Sequence, residues 1–108
     1  MPPEHPFASG LIADIGEALL VHGFPDEARQ HLEAGLSHVE GAASPDPSDL
    51  AKIRFALARA LTENGDPPRA IELGDAAYAG FVAAGDVARA DEVNRWRRGG
   101  EPVGDASD

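Results

Sequence analysis

A chain of 108 residues, with one tryptophan and apolar content drawn mostly from Ala, Leu, Ile and Val, can enclose one thin core but not two domains. It has no cysteine, which removes disulfides, thiolate metal sites and cysteine nucleophiles. A formal net charge of -10 repels phosphate backbones and anionic lipid, so neither nucleic acid nor a membrane surface is expected as a partner.

Residues 1–7 read as a proline-rich N-terminal tail, with Phe7 placed to fold back on Leu11 as a hydrophobic staple. No basic stretch precedes the first apolar segment, and Asp14 and Glu17 interrupt Leu11 to Val21. Neither a signal peptide nor a spanning helix is therefore expected, and the chain reads as cytoplasmic. A first helix is predicted from about Ala8 to His22 and closes at Gly23-Phe24-Pro25. A second, from about Pro25 to Glu40, has the inner stripe Ala28, Leu32, Gly35, Leu36 and Val39.

A Gly/Pro/Asp/Ser loop leads to a third helix over Pro47 to Asn64, with Asp46 as its cap and Pro47 in the first turn. Ile53, Leu57, Ala58 and Leu61 recur at spacings of three and four, so this helix is expected to be one-sided, with Lys52, Arg59 and Glu63 off the stripe. Gly65 closes it and Asp66-Pro67 starts the next at once, which makes the two helices antiparallel neighbours. The fourth helix, Pro67 to Ala84, contributes Ile71, Ala77, Tyr78 and Phe81. The fifth, about Val87 to Arg98, carries Ala90, Val93 and Trp96 on one face, pairs Asp91 with Arg95, and turns Arg95, Arg97 and Arg98 outward. Residues 99–108 read as a disordered tail, leaving one helical domain over 8–98.

The chain also repeats itself. At an offset of 42 residues, Ala18, Leu19, Gly23, Pro25, Ala28 and Ala34 meet Ala60, Leu61, Gly65, Pro67, Ala70 and Ala76. Leu11 meets Ile53, Ile15 meets Leu57 and Gly16 meets Ala58 in the same helical phase. A shorter echo sets Gly65-Asp66-x-x-Arg69-Ala70 against Gly85-Asp86-x-x-Arg89-Ala90. These matches describe two helical hairpins followed by a final helix. That helix suits a lid with a polar outer side, Trp96 closing the end of the core.

The pattern Ile12-x-x-Ile15-Gly16-x-x-Leu19, Gly23, Ala28-x-x-x-Leu32 resembles a tetratricopeptide repeat. The second copy, Leu57-Ala58-x-x-Leu61, Gly65, Ala70, Ala77, resembles it too, but has Arg54 and Gly74 where large apolar residues are usual, so looser inner packing is expected there. The Pro/Asp segment between copies is similar to the long-period variant of kinesin light chains and bacterial proteins. The resemblance implies an all-α, right-handed α-α superhelix of about five antiparallel helices, two hairpins plus a capping helix. It also implies a non-catalytic scaffold or adaptor that binds a protein or peptide segment on its concave face. The ending resembles the last helix of repeat arrays on bacterial serine/threonine kinases. That makes a terminal regulatory or self-association segment of a larger signalling protein the alternative, with an exposed end face open to pairing in a homodimer.

By position, the implied partner-binding groove takes Ala13, Glu17, Leu20 and Val21 from the first helix and Lys52, Phe55, Arg59, Thr62 and Glu63 from the third. Phe55 lies about 100 degrees off the Ile53-Leu57-Leu61 stripe, which leaves it either packing between repeats or exposed as an anchor. Lys52 and Arg59 flank it as a small basic island suited to a carboxylate or phosphate. The competing reading is a neutral face, with Arg59 paired to Glu63 and Asp49 beside Lys52. No catalytic residue, cofactor site or metal site is expected. His31 and His38 are two helical turns apart, about 10 Å, too far to share a zinc ion with bonds of about 2.1 Å. The serines lack a glycine elbow, and no Gly-rich phosphate loop precedes a helix.

Overall fold

The computed structural model describes residues 6–41, 46–64 and 66–98, with side chains from residue 10 onward and excepting residue 64. It is all-helical over those residues: α1 Pro6–Val21, α2 Pro25–Glu40, α3 Pro47–Asn64, α4 Pro67–Ala84 and α5 Val87–Arg97. Each helix packs on its sequence neighbour, and α1 also packs on α3. The expected bounds of α2, α3 and α4 hold. α1 starts at Pro6 rather than Ala8, because a proline at the first helical position gives up an amide hydrogen that would have had no partner. The Phe7 staple, Gly65 and both tails fall outside the described side chains or residues.

The three breaks close in one way. The amide of Phe24 donates to the Leu19 carbonyl at 2.8 Å, Asp66 to Leu61 at 2.9 Å and Asp86 to Phe81 at 2.9 Å. These are six-to-one bonds of a Schellman stop. Its left-handed residue is Gly23 (φ 87°) in the first case and Gly85 (φ 78°) in the third. A side chain with a Cβ would be strained at that φ. After the second and third breaks the next helix is capped by an aspartate, Asp66 accepting from the Arg69 amide at 3.4 Å and Asp86 from the Arg89 amide at 3.2 Å, whereas α2 starts at Phe24 with no side-chain cap. Asp46 accepts from the Ser48 amide at 2.9 Å ahead of α3. The Gly-Asp-x-x-Arg-Ala echo is therefore one stop-and-restart device, and its alanines, Ala70 and Ala90, are both buried.

Helix α3 is not one-sided. Ile53, Leu57, Ala58 and Leu61 are buried as the periodicity requires, but so are Ala51, Phe55, Ala56 and Ala60. Their neighbours explain why: α1 and α2 cover one side and α4 the other, so α3 supplies both core clusters. The first cluster joins Ala13, Ala28, Leu32, Leu36 and Val39 to α3, with Ile12, Leu19 and Leu20 packed against it. The second gathers Ala51, Phe55, Ala77, Phe81, Ala90 and Val93, and Trp96 touches both. The inner stripe of α2 is as predicted.

Three glycines set how closely the helices approach; at Gly35 of α2 a Cβ would lie 2.4 Å from Ile12 of α1. A Cβ on Gly16 would lie 2.4 to 2.8 Å from three atoms of the buried Leu32, and one on Gly74 would lie 2.4 Å from the Trp96 ring. The case of Gly74 corrects the expectation of loose packing in the second copy. Leu32 of α2 corresponds by offset to Gly74 of α4, and the volume missing at Gly74 is supplied by Trp96 of α5. Arg54, the other departure, pairs with Glu40 at 3.4 Å. Ile71 was expected inside but is 58% exposed, because the buried face of α4 runs through Ala70, Gly74, Ala77 and Phe81 instead. Arg97 does not simply face outward: its guanidinium lies 4.5 Å from the Tyr78 ring centroid and pairs with Asp75 at 2.9 Å.

A cross-hairpin ion pair ties α2 to α4. Arg69 meets Glu33 through both guanidinium nitrogens, Nη2 to Oε1 at 2.8 Å. The hydrogen bonds from Arg69 hold the Glu33 carboxyl below its ordinary value, against the opposing effect of burial. A depressed carboxylate pKa adds stability above the unfolded-state value of about 4.3, and loses it as the pH falls through the folded value. Both side chains are about a third exposed, which limits the pair to about 1 kcal/mol or less. Glu33→Gln should therefore lower the urea midpoint at pH 7. The gap from the unsubstituted chain should narrow progressively as the pH falls below about 4. A gap that stays constant as the pH is lowered would assign the loss to packing.

Candidate partner-binding face on α1 and α3

Helices α1 and α3 lie side by side, and the 42-residue offset puts Ala13, Glu17 and Leu20 in register with Phe55, Arg59 and Thr62. These are three successive positions on one face of each helix, separated by four and three residues. The structure divides them. Ala13 is fully buried and Phe55 is 5% exposed, so this shared position belongs to packing in both copies. Phe55 takes the first of its two roles: its ring packs in a T-shape with Trp96, at a centroid distance of 5.7 Å and an interplanar angle of 80°. It is no exposed anchor in this fold.

The remaining positions reach solvent. Glu17 and Leu20 are half-buried, Lys52 and Arg59 are half-buried, and Thr62 is exposed with its hydroxyl donating to the Ala58 carbonyl at 3.0 Å. Val21 and Glu63, at the margin of the predicted groove, are exposed. The two bases behave differently. Lys52 Nζ is 3.9 Å from Asp49, as the neutral-face reading expects. Arg59 lies over the Phe55 ring, 5.6 Å from its centroid, rather than on Glu63. A guanidinium held against an aromatic face keeps its in-plane N–H donors free for a carboxylate or phosphate. Arg59 is therefore the position on this face best prepared to receive an anion.

Sequence reasoning placed Trp96 on the inner face of α5 but missed what this residue does to the candidate face. Trp96 fixes Phe55, and Phe55 in turn carries Arg59, so the orientation of the base depends on a residue 37 positions away (96 − 59). The spacing of Ala90, Val93 and Trp96 was a signal for the lid, but nothing in the order of residues marks which ring Trp96 meets. Among the described residues no group of three or more His, Asp or Glu side chains could hold a metal ion. No described helix is long and apolar enough to cross a membrane.

No protein-family model, curated protein or solved structure matches the chain.

Proposed function

We propose that this chain is a tetratricopeptide-like repeat module, a right-handed stack of two hairpins and a lid, that binds a segment of a partner protein along the α1/α3 face. The observation that carries this reading is Arg59. It sits on the most enclosed helix of the fold, yet it is only half-buried and lies over the Phe55 ring, with Lys52 and Thr62 on the same helix and Glu17 and Leu20 at the matching positions of α1. The helix order supports it: first helices α1 and α3 touch each other, while α2 and α4 pack behind them. An extended segment bearing one acidic group and one apolar side chain suits this face, with the acid on Arg59 and the apolar group on Leu20.

The test is affinity capture with the tagged chain from a lysate of its own organism, quantified against a Lys52→Glu/Arg59→Glu variant and a Glu92→Arg control on the lid. Proteins held by the unsubstituted chain should be held by the control and fall roughly tenfold or more with the groove variant, the effect of losing about 1.4 kcal/mol. Equal capture by all three would remove the α1/α3 face from the reading. Phe55 is unsuitable for this comparison because its loss damages the core.

A further inference from the structure

We propose that two copies of this chain pair through the outer stripe of α1, formed by Leu11, Ile15 and Ala18. This surface is roughly opposite the Ala13-Glu17-Leu20 face on the helical wheel, so the pairing is independent of the binding role above. Among the described residues, four of the seven exposed large apolar side chains, Leu11, Ile15, Val21 and Phe24, lie on α1 or in the turn after it. Leu11 is 57% and Ile15 46% exposed, and Ala18 is exposed between them and His22.

The internal repeat shows that these positions are built for contact. Their equivalents one copy later, Ile53, Leu57 and Ala60, are fully buried under the preceding hairpin. Another stacked hairpin is not what the first copy is prepared for, however. Asp14 stands where the second copy has the fully buried Ala56, and a hairpin in that register would bury its carboxylate. What remains is narrow: Leu11, Ile15, Ala18 and His22 follow a four-three-four spacing within about 60 degrees, the seam of a two-helix contact with Asp14 at its rim. The partner is a single helix with a matching seam.

The other end of the molecule does not offer one. α5 covers Phe55, Phe81 and Gly74, and its solvent side carries Asp91, Glu92, Arg95 and Arg98 with Val87 as its one exposed large apolar side chain, so head-to-tail stacking would bury charge. The surface that fits α1 is α1 itself, which gives a closed two-fold pair rather than a filament. The seam from Leu11 to His22 is about 17 Å long at 1.5 Å per residue, and with its flanks it buries on the order of 1,000 Å² or less, the low end for a specific interface. The dimer is therefore weak and reversible. Because each chain carries a net charge of -10, salt that screens the repulsion strengthens it.

Sedimentation of the full chain over a hundredfold range of concentration, in low and in physiological salt, tests the pairing. The mass should rise from 11.3 kDa toward twice that value with concentration, and further with salt. Leu11→Lys/Ile15→Lys should stay monomeric at every concentration with an unchanged circular dichroism spectrum, while Val82→Lys on α4 should behave as the unsubstituted chain. Since the chain has no cysteine, Ala18→Cys gives a second reading: it should form a disulfide-linked dimer under mild oxidation far faster than Val82→Cys. A monomer throughout the range overturns the proposal. So does a dimer that survives the double lysine variant, or equal cross-linking at positions 18 and 82.

Discussion

Gly16→Ala should destabilise the protein by about 2 kcal/mol, although alanine is the better helix former. Propensity alone favours alanine over glycine in a helix interior by up to about 1 kcal/mol. At Gly16 the new methyl would meet Cγ and both Cδ atoms of Leu32, the nearest at 2.4 Å, and Leu32 is fully buried. Overpacking a core costs about 1–3 kcal/mol, and more where the backbone must part, so the clash decides the sign. For a domain of this size such a loss is a melting-temperature drop of roughly 10 °C. Gly10→Ala on the same helix is the control with the opposite sign. Its Cβ would meet only a carboxylate oxygen of Asp49 at 3.9 Å, so the propensity gain should survive as a small rise in melting temperature. A stabilised Gly16→Ala would mean that α1 and α2 are further apart than described.

Trp96→Ala should cost about 3 kcal/mol, the lower end for a tryptophan, because the ring is half-buried. The substitution removes the edge contact to Phe55 and empties the space over Gly74. α5 has 11 residues, too few to persist as a helix without packing, and its remaining buried anchors are Ala90 and Val93. Native-state hydrogen exchange should show the loss concentrated in α5, with amides of α1 and α2 keeping their protection relative to global unfolding. Arg59, seated on Phe55, should become more mobile in the same variant. Uniform loss of protection along the chain would show that the lid is not a separable unit.

These effects follow from residues whose meaning was unevenly legible in the sequence. The breaks at Gly23, Gly65 and Gly85 were readable because glycine, aspartate and proline act on their own backbone, and the boundaries of α2 to α4 came out at the predicted residues. The buried stripe of α2 was readable because one side of that helix meets solvent. α3 was not, because a helix covered on two sides has no single period to report, and its small residues Ala51, Ala56 and Ala60 look indifferent until a neighbour arrives. Gly74 read as a defect for the same reason: what fills it comes from Trp96, 22 residues further on (96 − 74). The exposure of Leu11 and Ile15 was hidden by the repeat itself, since their equivalents Ile53 and Leu57 are core. On the candidate face, Lys52, Arg59 and Thr62 could be placed by helical phase alone. The burial of Phe55, which decides how Arg59 is presented, depends on tertiary contact with α5.

The nesting of helices at residues without side chains is tested most directly by nuclear Overhauser contacts in the intact protein. Cross-peaks are expected from the Gly16 α-protons to the Leu32 methyls and from the Gly74 α-protons to the Trp96 ring, the latter with Gly74 shifted by the ring current. A Trp96 ring that contacts only α5 and solvent, together with Leu32 methyls that show no contact to Gly16, would contradict the packing described for both hairpins.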